Sequence, residues 1–385
     1  MTPTLPHSMT ADNNDAGPAS RTGHGVIPSQ HLRRMISDGA ITADTPVQTA
    51  QLQPASLDLR LGRRAWRVSA SFLPGRRSVE ERLHDFAMHQ IDLAPGAVLE
   101  RGCAYVVECA ERLALPADTA GAANAKSSTG RLDLLTRLVT DGSDAFDRVA
   151  AGYHGPLYLQ ISPCTFSVLV RPGVTLSQLR LRRGEPALDD AALAALHGSD
   201  PLVDGTALID GGLGFSVDLS GDAAPEGIVG WRARRNTALI DLDKIAAYDP
   251  ADFWEAVRPA RHRGLILDPG AFYILVSREA VAVPPETAAE MVPFMAVAGE
   301  FRVHYAGFFD PGFGHRETGG SGSRGVLEVR CHEAPFALEH GQSVGRLIYE
   351  RMAERPDLLY GRDIGSNYQG QALKLSKHFR VPIAG

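Results

Sequence analysis

Along most of the chain, short apolar runs rich in Val, Leu, Ile and Tyr alternate with Pro-Gly and Asp-Gly punctuation. "LAPGAVL" (Leu93 to Leu99), "VRPGVTL" (Val170 to Leu176) and "LDPGAFYILV" (Leu267 to Val276) are examples. Runs this short, with turn residues at each end, read as strands. Their spacing favours a small barrel or a double-sheet jelly roll over an α/β sheet. Helical periodicity is scarce. "PSQHLRRMISDGAI" places Leu32, Met35 and Ile36 on one face, with Ser29 as a candidate N-cap. "DPADFWEAVRPA" (Asp249 to Ala260) is a second candidate helix.

The apolar pattern is written twice. "LYLQISPCTFSVLVRPG" (Leu157 to Gly173) returns 168 positions later as "GVLEVRCHEAPFALEHG" (Gly325 to Gly341). "LALPADTAG" (Leu113 to Gly121) returns at the same spacing as "VAVPPETAA" (Val281 to Ala289). "QPASLDLRLG" (Gln53 to Gly62) resembles "LGFSVDLSG" (Leu213 to Gly221), pairing Ser56 with Ser216 and Asp58 with Asp218, and "LAPGA" pairs with "LDPGA". The order is the same in both halves. The chain therefore divides into a polar tail over 1–24, a first barrel over 25–183, a linker over 184–204, a second barrel over 205–352 and a C-terminal tail or lid over 353–385. The linker sequence "GEPALDDAALAALHGSD" suggests a short helix.

Composition adds exclusions. At 385 residues, 44% hydrophobic and 22% charged, the chain is that of an ordinary globular protein with room for two cores. A net charge of −6 gives no electrostatic case for nucleic acid or an anionic membrane. No apolar run approaches the roughly 20 residues that span a bilayer, and the N-terminus lacks a signal-peptide layout. Four cysteines in so long a chain do not form a disulfide framework, which points to a reducing cytoplasm.

One position in the repeat changes its chemistry: Gln160 in the first copy is Glu328 in the second. Glu328 alternates with apolar neighbours in Val326-Leu327-Glu328-Val329. A strand glutamate in that setting commonly faces solvent. Beside an apolar wall, such as "HYAGFFDPGFG" (His304 to Gly314) would provide, it has its pKa raised and can shuttle protons. Lys126-Ser127-Ser128-Thr129-Gly130-Arg131 is either an exposed polar turn or a polyphosphate cradle of hydroxyls, backbone N–H groups and cations. The second copy carries Phe294, Met295 and Ala296 where the first has Lys-Ser-Ser, and Gly299 in place of Arg131. Each half thus keeps what the other lacks, the pattern expected of one site divided between two barrels. His304, His315 and His332 read as surface or structural.

"QPASLDLRLG", "KSSTGRLDL", "AGFFDPGFG" followed by "GVLEV", and the tail "SNYQGQ" stand in the order found in dCTP deaminases, members of the trimeric dUTPase-like barrel family. The chain resembles a doubled form of that single barrel over about Val26 to Phe379. The resemblance implies a phosphate motif at Lys126, Ser127, Ser128 and Arg131, with Lys in place of the family's first Arg. It implies a catalytic Glu328, a base pocket lined by Val326 and Leu327, Asp310 near the deoxyribose, and Tyr360 and Gln371 contacting the nucleotide from the tail. A basic residue usual between those two is Asn367 here, with Lys374 or Lys377 as substitutes. The implied reaction is hydrolysis of dCTP to dUTP and ammonia, in the biosynthesis of pyrimidine deoxynucleotides. Mg²⁺ would be carried by the triphosphate, feedback by dTTP is a family trait, and a homo-oligomer is expected. Zinc chemistry is not expected, because no C-x-x-C follows Pro163-Cys164 or occurs elsewhere. Alternatives are a bifunctional enzyme that also hydrolyses dUTP, a plain dUTPase, and a non-catalytic nucleotide-binding double barrel.

Overall fold

The computed structural model describes residues 23–222, 225–259, 264–293, 301–304, 307–363 and 373–381. The architecture is mostly β with a few short helices. In the first half, antiparallel strands run in the order Leu134–Thr140, His154–Pro163, Ala104–Ala114, Leu57–Val68, Thr175–Arg183, Thr119–Ala125 and Arg148–Val149. Burial alternates residue by residue along Thr119–Ala125, the signature of a strand with one face on the core. In the second half, Ser323–Cys331 lies between Phe272–Val281 and Phe301–His304, and Ser343–Arg351 lies between Leu213–Ser216 and Thr287–Pro293.

Strand register follows the sequence echo. Gln160 faces Val106 where His154–Pro163 pairs with Ala104–Ala114. Glu328 faces Ile274, both displaced by the same 168 positions, where Ser323–Cys331 pairs with Phe272–Val281. Because side chains alternate with a period of two, this shared register gives Gln160 and Glu328 the same orientation in their sheets.

The two halves are knitted together. Val168–Val170 pairs in parallel with Ile240–Asp241. One apolar cluster joins first-half residues such as Leu159 and Phe166 to Trp254, Phe272, Val326 and Phe379. Phe166 meets Phe253 and Trp254 edge-on at 5.8 and 5.4 Å. Edge-to-face pairs of this kind stabilise by about 0.5–1.5 kcal/mol beyond the area they bury.

Two local expectations need correction. The first helix spans Ser29–Ser37 and its N-cap is Pro28, not Ser29. Ser29 instead donates its hydroxyl to Asp357 at 2.6 Å, so a contact with the C-terminal segment takes the side chain that would have capped the helix. The segment from Asp249 forms only a short helix at Pro250–Phe253, with Asp249 accepting from Ala251 N. The chain then turns extended at Trp254–Val257, where pairing with Gly230–Ala233 and the aromatic cluster outweigh helical propensity. The helix in the linker spans Asp190–Ser199, capped by Asp189.

Candidate active site

Ser127–Gly130 forms a single helical turn. Lys126 O accepts from Thr129 N and Gly130 N, and Ser127 O accepts from Arg131 N. The sequence expectation offered an exposed polar turn or a cradle, and the turn is not exposed: Ser128, Thr129 and Arg131 are buried. Its curl delivers Arg131 toward the second half, where Arg131 Nε lies 3.9 Å from Glu328 Oε1. That gap is too long for a hydrogen bond and short enough for a strong electrostatic coupling. The cation from the first half and the carboxylate from the second meet within one chain.

Glu328 does not face solvent. It is 4% exposed. Burial pushes its carboxyl up to about 8, and the nearby Arg131 guanidinium is the charge that holds it from rising further. At neutral pH about a tenth of such groups are ionised. A carboxyl poised near the working pH can both take and return a proton.

Gln160 answers why the first copy has no carboxylate. Its Oε1 accepts from Ser71 Oγ at 2.5 Å and from Phe72 N at 3.2 Å, and its Nε2 donates to Phe72 O. An amide has both donors and acceptors and saturates this backbone segment, whereas an ionised carboxylate has no proton to donate. The corresponding position in the first half is a buried structural tie.

The Lys126 ammonium pairs with Asp58 and donates to Thr175 Oγ1 at 3.1 Å. A cleft of about 250 Å³ beside this turn is lined by Ser128, Thr129, Gly173, Thr175, Lys377 and His378. Lys377 is held below the usual lysine range by burial and by the Lys126 charge, so the two ammonium groups sense one another.

Asp310 is buried, and its carboxyl is pushed up to about 6 by burial, with Arg180 opposing the rise and Asp58 adding to it. Arg180 comes from the first-half strand Thr175–Arg183. It lies 3.5 Å from Asp310, 3.1 Å from Glu350 and 4.0 Å above the Phe308 ring. Tyr360 sits at the same turn: its backbone N–H donates to Pro311 O and its ring lies 5.6 Å from Phe313. Val326 and Leu327 are buried in the strand that carries Glu328, Leu327 within the second-half core. Gln371 and Asn367 lie outside the described residues, as do the second-copy counterparts Phe294, Met295, Ala296 and Gly299.

The tail locks onto the Ser127–Gly130 turn. Arg131 Nη1 donates to Lys374 O at 3.0 Å and Ser376 Oγ donates to Ser128 O at 2.7 Å. His378 is buried as the neutral imidazole, its pKa pushed down to about 4 by desolvation and by Lys377. Sequence reading missed Arg180 and Ser376. Arg180 alternates with Leu179 and Leu181, a pattern that reads as a solvent-facing cation, so only the three-dimensional contact identifies it. Asp58 did carry a signal, as part of the repeated Ser-x-Asp motif.

Since Arg131 and Glu328 meet within a chain, a mixture of an inactive Ser127→Ala, Arg131→Ala chain with an inactive Glu328→Gln chain is expected to remain inactive. Activity appearing after subunit exchange, followed by a linked assay of turnover, would place the working pair across chains.

Two family models match the chain. One described as the 2'-deoxycytidine 5'-triphosphate deaminase N-terminal domain covers residues 23–185, and one described as the C-terminal domain covers residues 189–379. A protein of Parafrankia sp. (strain EAN1pec) named "dCTP deaminase, dUMP-forming" is 33% identical over 184 residues, covering 45% of this chain and 84% of that one. A "dCTP deaminase" of Natronomonas pharaonis is 28% identical over 166 residues, covering 40% and 78%. The crystal structure of 2'-deoxycytidine 5'-triphosphate deaminase from Agrobacterium tumefaciens superposes with a TM-score of 0.83 at 51% identity, covering 87% of this chain and all of that one.

Proposed function

The chain belongs to the dCTP deaminase family, and from that premise we propose that it hydrolyses dCTP to dUTP and ammonia, with Glu328 as the proton-transfer group. The observation that carries this reading is the buried encounter of Arg131 and Glu328 across the two halves, with the carboxyl near 8. Glu328 in its ionised form takes a proton from water as the oxygen adds to C4 of cytosine, and delivers that proton to N3. The second proton of the attacking water passes through the same carboxylate to the departing amino group. The C4–N4 bond breaks, ammonia leaves and the C4 carbonyl of uracil remains. Atoms balance as dCTP plus water giving dUTP plus ammonia. Arg131 offsets negative charge gathered beside Glu328, which a water-poor site strengthens.

The turn at Ser127–Gly130, the Lys126 and Lys377 ammonium groups and the neighbouring cleft suit the triphosphate. Mg²⁺ enters this reading with the nucleotide, as part of the substrate. Four free thiols support a reducing compartment, for which we propose the cytoplasm. Among the described residues no helix is long and apolar enough to cross a membrane. A homo-oligomer and feedback by dTTP remain part of the proposal.

A second reading has its own observation: several similar proteins, among them those of Parafrankia sp. and Streptomyces avermitilis, are named as dUMP-forming. Incubation with dCTP and separate assays of ammonia and pyrophosphate decide between the two. Ammonia without pyrophosphate is expected. Both together would establish the dUMP-forming variant, and pyrophosphate without ammonia would overturn deamination.

A further inference from the structure

Two residues beyond each member of the Arg131–Glu328 pair, the seam holds a second ion pair of opposite polarity. Asp133, from the first half, pairs with Arg330, from the second. The turn thus presents a cation and then an anion, and the facing strand presents an anion and then a cation. Thr165 completes the cluster. Its hydroxyl donates to Asp133 Oδ2 at 2.6 Å and accepts from Arg330 Nη2 at 3.0 Å. Arg330 Nη1 also donates to Gly270 O at 3.2 Å, and Cys164 N donates to Asp133 O at 2.9 Å.

Three features set this cluster apart from an ordinary surface salt bridge. Asp133 is 1% exposed, in a place where a carboxylate without a partner would be costly, and Arg330 is that partner. Its backbone sits at φ 54°, the left-handed region that glycine occupies more readily. Aspartate is among the few other residues that adopt it, and here its side chain reaches the opposite half of the chain. Finally, the pair lies on the two segments that carry Arg131 and Glu328 and spans the same seam.

We propose that Asp133 and Arg330, with Thr165 bridging them, are positioning residues that set the register of Arg131 against Glu328. The proposal rests on the reading that Arg131 and Glu328 carry the reaction. A misplacement of about 1 Å between reacting groups can cost on the order of 10²-fold in rate. At 3.9 Å the Arg131–Glu328 contact has no hydrogen bond of its own to hold it, so its alignment depends on neighbouring ties.

The test is the double variant Asp133→Gly, Arg330→Met beside the conservative Arg330→Lys, compared with wild type by steady-state deamination from pH 6 to 9.5 and by thermal unfolding. Removing both charges avoids an orphaned arginine next to Glu328, and glycine suits the backbone at position 133. Glu328 is faced by Arg131 from the turn, and His304 lies opposite it in the neighbouring strand. Arg131 is the cation that lowers the Glu328 pKa. The double variant is expected to lose about 10- to 100-fold in kcat while KM stays within about threefold. The ionisation limb should move to higher pH, since a displaced Arg131 no longer lowers the Glu328 pKa. Arg330→Lys should retain most of the activity. Wild-type kcat and an unmoved limb in the double variant would overturn the proposal, as would a loss of activity that tracks only the unfolded fraction. Should Glu328→Gln keep its turnover, the parent reading and this one fall together. Should Glu328→Gln be inert while the double variant is unaffected, only the positioning role falls.

Discussion

Replacement of Glu328 by Gln is expected to abolish ammonia release while leaving dCTP binding within about threefold of wild type. The isosteric amide fills the same buried volume, so the pocket should keep its shape. What disappears is a group able to accept and return a proton, a contribution of about 10²–10⁴-fold in enzymes that use positioned acid–base groups. Calorimetric titration with dCTP and a coupled ammonia assay on the same preparation read the two effects separately. Turnover at the wild-type rate would remove Glu328 from the mechanism, and loss of binding would recast it as a binding group.

The same substitution has a signature in stability. The folded state raises the Glu328 pKa from the ordinary 4.5 to about 8, so folding favours the protonated form. Its stabilising contribution is fully present below about pH 4.5 and is lost as pH rises toward 8, because the unfolded chain releases the proton first. Glutamine has no proton to lose. Glu328→Gln should therefore gain stability relative to wild type as pH is raised from 5 to 8.5, by up to a few kcal/mol. Thermal melts at the two pH values would show the difference growing with pH. A difference independent of pH would mean that water reaches the wild-type carboxyl freely.

These effects were only partly legible in the sequence. The 168-residue echo is a local pattern, and it marks Glu328 as the carboxylate that its counterpart lacks. The reason for the asymmetry was not local. Gln160 is tied to Ser71 and Phe72, which lie nearly ninety positions away in the chain, and no periodicity announces such a contact. The same holds for burial. Strand periodicity places Glu328 on the face opposite Leu327 and Val329, but it cannot say whether solvent or another domain covers that face. Here the first half covers it, through Arg131. Arg180 misleads for the same reason, since a cation between two leucines reads as exposed until Asp310, Glu350 and the Phe308 ring enclose it. Strand propensity and turn chemistry specify each half. Arg131 and Glu328 come together only where the halves meet, and that contact is written in long-range packing.

Arg131→Met is expected to lower kcat/KM by on the order of 10²-fold and to move the ionisation limb of kcat/KM to higher pH. Two roles converge on this side chain, and the substitution separates them. As a phosphate-binding cation it would act mainly through KM, with no effect on the Glu328 proton. As the cation facing Glu328 it favours the ionised carboxylate, so its removal leaves less of the base available at neutral pH. For an acid whose pKa is already raised by burial, the shift must be upward, and wild type should show the limb near 8. Arg131→Lys retains charge but gives up the planar fork and the hydrogen bond to Lys374 O, so it should recover part of the rate and most of the limb position. The measurement is kcat/KM against pH for wild type and both variants, with KM recorded separately. A raised KM with an unmoved limb would confine Arg131 to phosphate binding, and the coupling that joins the two halves into one catalytic unit would have to lie elsewhere in the seam.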